Sequence, residues 1–385
     1  MLMKLDSKET DMAKTALVIG GGAPNMPLMA GALSAMVRQR VRFDLISTSG
    51  AGALVGLLYA APKSGNAIAA LAGMVQMGIA DPVYRVLPVN YKVFHKPGVL
   101  AEQFRSELAR SPMSRLVDQL SGQSDAWQAW ADWVRLMWAM ATPTDLSNRS
   151  LGLCAHVPFI EDVVDFNRIA NASVPIYLNA YNLDRRVMVQ WEGEEITVER
   201  FRAALSFPFL YPPTVLPNEA GEPEHYIEGA ALDTLNFKAL VGPGGVHPEI
   251  GTIVVFDVLG AERLLRPPRD LYDAWVMSII TPLVEIAQDD LKLFDLVYNR
   301  NPDGSEKRNL LKVPLLAPEL PAERWDAMFD WSISNMRTLY RLGFESGLVF
   351  CRDHAATLGI IYDESVLSLP EAWTVADAVG ETATA

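Results

Sequence analysis

The first regular pattern in the chain is Leu17-Val18-Ile19, an uninterrupted apolar run that ends in Gly20-Gly21-Gly22. A short apolar run bounded by turn residues reads as a strand buried on both faces. A helical pattern follows over about Met29 to Arg40. The next apolar run, Phe43 to Ile46, breaks into the small residues Ser47-Thr48-Ser49-Gly50-Ala51-Gly52 and turns helical again over about Ala51 to Ala61. Two parallel strands joined by a helix cross over right-handedly, so the glycine turn and the Ser49 turn are expected at the same carboxyl edge of one sheet.

Downstream, roughly Asp81 to Thr144 is helical and rich in tryptophan, and residues 81–150 are expected to form an insertion over the sheet edge. Trp127, Trp130, Trp133, Met137 and Met140 recur at helical spacing, which predicts a packed core face; a lid or acyl groove touching lipid is the other role such rings suit. Period-two runs at Pro175–Ala180 and Val187–Trp191, joined by Asn182-Leu183-Asp184-Arg185, predict a hairpin. A helix over Val198–Leu205 must stop at Ser206-Phe207-Pro208-Phe209-Leu210-Tyr211-Pro212-Pro213, where three prolines forbid its continuation. Strands are expected at Tyr226–Ala230 and Gly251–Phe256, and helices over Arg269–Arg300 and Glu323–Leu358. No repeat or low-complexity linker divides the chain, so residues 15–362 are expected to form one α/β domain, flanked by a polar tail (1–14) and an acidic tail (363–385).

Composition narrows the function classes. Half of the 385 residues are apolar, enough for a sizeable core, and the net charge of −13 argues against binding nucleic acid through its phosphates. Cys154 and Cys351 stand alone, with no partner in metal-ligand spacing, so no structural zinc or disulfide framework is expected and a reducing compartment fits best. The polar amino terminus lacks the apolar core of a secretory signal, and the most apolar later stretch, Ala274–Ala287, is too short to span a membrane. A cytoplasmic protein is expected, with room for peripheral membrane contact.

Ser49 carries the candidate chemistry. A strand that turns sharply into a helix exposes its turn residue, and only small neighbours fit around it. A serine also needs a base and donors for a developing oxyanion. Backbone N–H groups of Gly21, Gly22 and Gly50 are the candidate donors, glycines admitting the close approach. None of the five histidines (His95, His156, His225, His247, His354) stands in a context that marks it as base, although His225 is three residues before Glu228. Glu228, before Gly229-Ala230, is the other candidate, and spacing alone does not choose. Ser49 read alone fits a helix cap better, and the glycine turn at the right spacing reverses that preference. A dinucleotide fold fits poorly, because Asn25 occupies the last glycine position of Gly-x-Gly-x-x-Gly and the acidic residue would have to be Asp44, at a strand's start.

The order of these features, from the glycine turn and the serine elbow to the Asn-Leu-Asp turn, the Phe-Pro-x-x-Tyr-Pro-Pro stretch and the acidic-Gly-Ala turn, resembles the patatin-like phospholipases over roughly Thr15 to Phe256. In that family a Ser–Asp dyad without histidine hydrolyses acyl esters, the serine lying in Gly-x-Ser-x-Gly and the aspartate in Asp-Gly-Gly or Asp-Gly-Ala. The resemblance implies a central, mostly parallel sheet with helices on both faces and a helical insertion. It implies Ser49 as nucleophile, Glu228 as carboxylate base, and Gly20, Gly21 and Gly22 with Gly50 as oxyanion hole, without metal or cofactor. Phe207, Phe209, Leu210 and Tyr211 are candidate pocket walls. The chain departs from the pattern at Ser47, which stands for the first elbow glycine, at Gly50-Ala51 for the x-Gly pair, at Ala23-Pro24-Asn25 after the glycines, and at Glu228 for aspartate. Two functions follow: a serine acyl hydrolase acting on lipid or other fatty-acyl esters, or a lipid-binding or regulatory protein that kept the fold and lost turnover. Transfer of the acyl group to another alcohol is a third.

Overall fold

A computed structural model describes residues 14–22, 25–156, 159–241, 247–258, 265–315 and 330–366. Most of the two expected tails, Ala23 and Pro24 after the glycine turn, and residues 323–329 of the last helical run lie outside the described residues. Eight strands form one mixed sheet: β1 (Lys14–Ile19), β2 (Leu45–Thr48), β3 (Ile176–Asn182), β4 (Val187–Glu192), β5 (Thr214–Pro217), β6 (Pro223–Glu228), β7 (Ile250–Phe256) and β8 (Asn309–Lys312). Their order is β5-β6-β3-β2-β1-β7-β8, with β4 on the other edge of β3. The run β3-β2-β1-β7-β8 is parallel, while β4, β5 and β6 join by antiparallel pairings.

β1 is central, and alternation splits its apolar run between two cores. Leu17 and Ile19 face a large cluster with α1 (Met26–Arg38) and α2 (Gly52–Ala60), whereas Ala16 and Val18 face a smaller one with Leu45, Leu235, Phe237 and Phe294. The helix Ile333–Asp353 closes the first layer against α1. The two helices approach backbone to backbone, because a Cβ on Gly31 would meet the Phe344 N at 2.8 Å and the Tyr340 carbonyl closer still. Tyr340 Oη also donates to Ser34 Oγ across this seam (2.7 Å).

The expected hairpin is β3–β4, and the expected strand at 226–230 stops at Glu228, where Gly229 begins a short 3-10 turn. The two short edge strands β5 and β8 were not expected. The tryptophan stripe of the helix Asp125–Ala141 corrects the core expectation: Trp127, Trp130, Trp133, Met137 and Met140 are all exposed, and the buried face is Gln128, Ala131, Asp132 and Leu136. The reason is Asp132, which accepts the Ala80 N–H (2.7 Å) and pairs with Lys92 (3.1 Å), so the polar face is tied inward. Among the described residues no helix is long and apolar enough to cross a membrane.

Candidate functional site

β3 brings the two halves of the site together. Its first half pairs with β2, Thr48 opposite Leu178, and its second half pairs with β6, Glu228 opposite Ala180. β6 therefore reaches β3 just past the point where β2 leaves it. At that point Gly50 takes a left-handed conformation (φ +50°), which lets the strand turn directly into α2. Gly52, the first residue of α2, lies against β1: a Cβ there would meet the Ile19 carbonyl at 2.6 Å. A Cβ on Gly50 would run into the Glu228 carboxylate and meet Ala230 Cβ at 2.8 Å.

Ser49 points elsewhere. It is fully buried, and its Oγ donates to the Asp233 carbonyl (2.8 Å). Strand alternation explains the direction. Ser47 Oγ likewise donates to the Asn236 carbonyl (2.6 Å), so both serines face the 233–236 segment on the side of the smaller core, away from α1 and α2.

Glu228 lies on the opposite side, at a cavity of about 220 Å3. The walls come from α1, α2, the Phe207–Tyr211 stretch, the helix Leu271–Leu293 and Trp331, and Glu228 is the acidic residue in an otherwise largely apolar lining. Burial pushes its carboxyl up to about 8, and no hydrogen bond to that carboxyl occurs among the described residues. It is thus largely a neutral acid at neutral pH, held 9% exposed. Phe207, Leu210 and Tyr211 line the cavity; Phe209 does not, being 58% exposed and set edge-on to Trp275.

A family model for the patatin-like phospholipases matches residues 17–241, more than half of the chain. The chain belongs to this family. Among solved structures, the crystal structure of VipD from Legionella pneumophila is similar at 11% identity, covering 97% of this chain and 74% of that one with a TM-score of 0.35. No curated protein matches.

The patatin-like glycine turn divides its N–H groups. Gly20 N–H is bonded to the Phe256 carbonyl (3.0 Å), and Gly21 N–H leans on the Thr234 carbonyl (3.4 Å). Gly22, with φ +129°, lines the cavity, and among the described residues neither its N–H nor those of Gly50 and Ala51 have an acceptor. Asn25, marked in the sequence only as a departure from the glycine pattern, is buried at the start of α1 with neither side-chain polar atom bonded among the described residues. His156, one of the five histidines that no local context distinguishes, stacks its ring on Tyr211 (4.7 Å) and meets Ser206 Oγ at 2.9 Å. Burial lowers the His156 ring to about 4, so it is neutral. Ser206 in turn supports the acidic turn, its carbonyl accepting the Glu228 N–H (3.0 Å). His225 sits at the surface beside Asp184 (3.1 Å).

Proposed function

We propose that this patatin-like protein binds a fatty-acyl lipid in the cavity beside Glu228, and that holding the acyl group rather than hydrolysing it is the function. The observation that carries this reading is the direction of Ser49, whose hydroxyl proton is given to the Asp233 carbonyl on the far side of the sheet from the cavity. The cavity suits an alkyl chain, each buried methylene contributing about 0.8 kcal/mol. At its polar end the neutral Glu228 carboxyl donates to the ligand carbonyl, and the N–H groups of Gly22 and Gly50, without an acceptor among the described residues, supply further donors. The outward rings of Trp127, Trp130 and Trp133 suit a lipid–water interface from which such a ligand would be collected.

A second reading is favoured by family membership and by the raised Glu228 carboxyl, which is better matched to proton transfer near neutrality than an ordinary carboxylate. In it Ser49 attacks an acyl ester and Glu228 takes its proton. The oxyanion hole expected of Gly20, Gly21, Gly22 and Gly50 is narrowed to the N–H groups of Gly22 and Gly50, since those of Gly20 and Gly21 are bonded to the Phe256 and Thr234 carbonyls. This reading requires the end of β2 to turn over, so that Ser49 leaves Asp233 and faces the cavity.

Titration with a dansyl-labelled fatty acid separates the two. Wild type and Ser49→Ala are expected to bind it equally, with saturable, blue-shifted emission. Leu210→Trp, which fills the cavity from a half-buried position, is expected to weaken binding at least tenfold, about the loss of two buried methylenes. Absence of binding by wild type would refute the acyl-binding reading, and fatty-acid release from an ester that disappears in Ser49→Ala would establish the hydrolase.

A further inference from the structure

We propose that Gly50, not Ser49, occupies the position from which an elbow nucleophile projects, so that this is a patatin-like elbow whose nucleophile is missing and whose space is taken by Glu228. The proposal rests on the acyl-binding reading for its ligand, and on three independent geometric facts for itself.

The first is conformation. Between β2 and α2 the residue with positive φ is Gly50, and this is the residue at which the strand direction is lost. The second is steric. An elbow of the form Gly-x-Ser-x-Gly ends in a glycine where its helix must start against the neighbouring strand. Here that demand falls on Gly52, whose Cβ would strike the Ile19 carbonyl and Ile19 Cγ2 (2.6 and 2.9 Å), whereas Ala51 already carries a Cβ and uses it to line the cavity. The elbow is therefore Thr48-Ser49-Gly50-Ala51-Gly52, with glycine at its centre. The third is direction: the Cα–Cβ vector of Gly50 aims at the Glu228 carboxylate and Ala230, both in the cavity wall, while Ser49 aims at Asp233.

Two of the departures from the family pattern, at Gly50 and at Glu228, then belong together. A serine at position 50 would collide with Glu228, and a shorter acid at position 228 would leave the space beside Gly50 empty. The extra methylene of Glu228 carries its carboxyl into the volume that a serine side chain would fill. An acyl carbonyl held there meets a carboxyl and backbone N–H groups, while the Ser49 hydroxyl is turned to Asp233.

Gly50→Ser combined with Glu228→Asp should install the missing group. With an alkyl fluorophosphonate, the new hydroxyl oxygen attacks phosphorus, the P–F bond breaks, fluoride leaves, and the hydroxyl proton passes to the introduced aspartate. Peptide mass spectrometry is expected to find the double variant labelled at position 50, Gly50→Ser alone labelled far more slowly because Glu228 obstructs it, and wild type and Glu228→Asp unlabelled. A folded double variant that stays unlabelled, or wild type labelled at Ser49, would overturn the proposal. The register has its own test should the double variant not fold. Gly52→Ala is expected to lower the melting temperature by many degrees and Ala51→Gly to change it little; the reverse order would also overturn the proposal. Labelling of the double variant while wild type fails to bind the dansyl fatty acid would refute the acyl-binding reading and leave the elbow assignment standing.

Discussion

Glu228→Gln should make the protein more stable than wild type at about pH 9 and leave the two within about 1 kcal/mol of each other at about pH 5. The folded carboxyl titrates at about 8 against an ordinary value of 4.5, with burial as the cause. Below 4.5 the acid is protonated in both folded and unfolded chains, and the site draws nothing from stability. Between 4.5 and 8 the unfolded chain releases the proton and the folded site keeps it. Each pH unit in that window therefore removes up to about 1.4 kcal/mol, and on the order of 4 kcal/mol is gone once pH passes the folded value. Glutamine cannot ionise, so it escapes this loss; the cost of its buried amide, about 1–2 kcal/mol, is smaller. Asp233 and Asp290, whose carboxyls burial also raises, are common to both proteins and cancel in the difference. Urea denaturation of both proteins at the two pH values checks the result. Equal pH profiles would mean that Glu228 is solvated.

Gly31→Ala is the other large effect, and it should destabilise by more than about 3 kcal/mol. Alanine is intrinsically the better helix residue by about 1 kcal/mol, so a neutral site would gain from the change. Gly31 is not neutral. Its Cβ direction points at the backbone of Tyr340 and Phe344 on the neighbouring helix, while Gly343 of that helix is equally tight against the Leu28 backbone. Backbone cannot rotate aside as a side chain can, so the seam between α1 and Ile333–Asp353 must open and lose its contacts. Gly73→Ala is the control: it lies in the helix Ala67–Gly73 with nothing within 4 Å of its Cβ direction, and is expected to be neutral or slightly stabilising. Thermal melts of the two variants should move in opposite directions or differ by many degrees.

The parts of the fold that were legible in the sequence are those with strong local patterns. The apolar run into three glycines, the second run into small residues, and the alternation across 175–191 mark β1, β2 and the β3–β4 hairpin. The short edge strands β5 and β8 were hidden because four residues give too little alternation, and they are fixed by pairing with β6 and β7. The tryptophan stripe departs from its pattern for a physical reason: helical aromatic spacing predicts a buried face, but the buried face of that helix is set by the ion pair at Asp132.

At the site, Glu228 and the glycine turn were legible because a carboxylate before Gly-Ala and a glycine run after a strand are sequence features. Walls such as Phe159 and Trp331 come from distant segments with no local mark. The elbow is the instructive case. Ser-Thr-Ser-Gly-Ala-Gly satisfies the demand for small residues in either of two registers one residue apart, and a strand's period of two sends neighbouring side chains to opposite faces. Choosing between them requires the φ of Gly50 and the closeness of Gly52 to β1.

The most direct measurement of the central claim is the intact mass of the wild-type protein after prolonged exposure to a long-chain fluorophosphonate, with Ser49→Ala alongside. An elbow presenting Gly50 predicts that both proteins keep their unmodified mass while still binding the dansyl fatty acid. A single phosphonyl adduct on wild type that is absent from Ser49→Ala would contradict it.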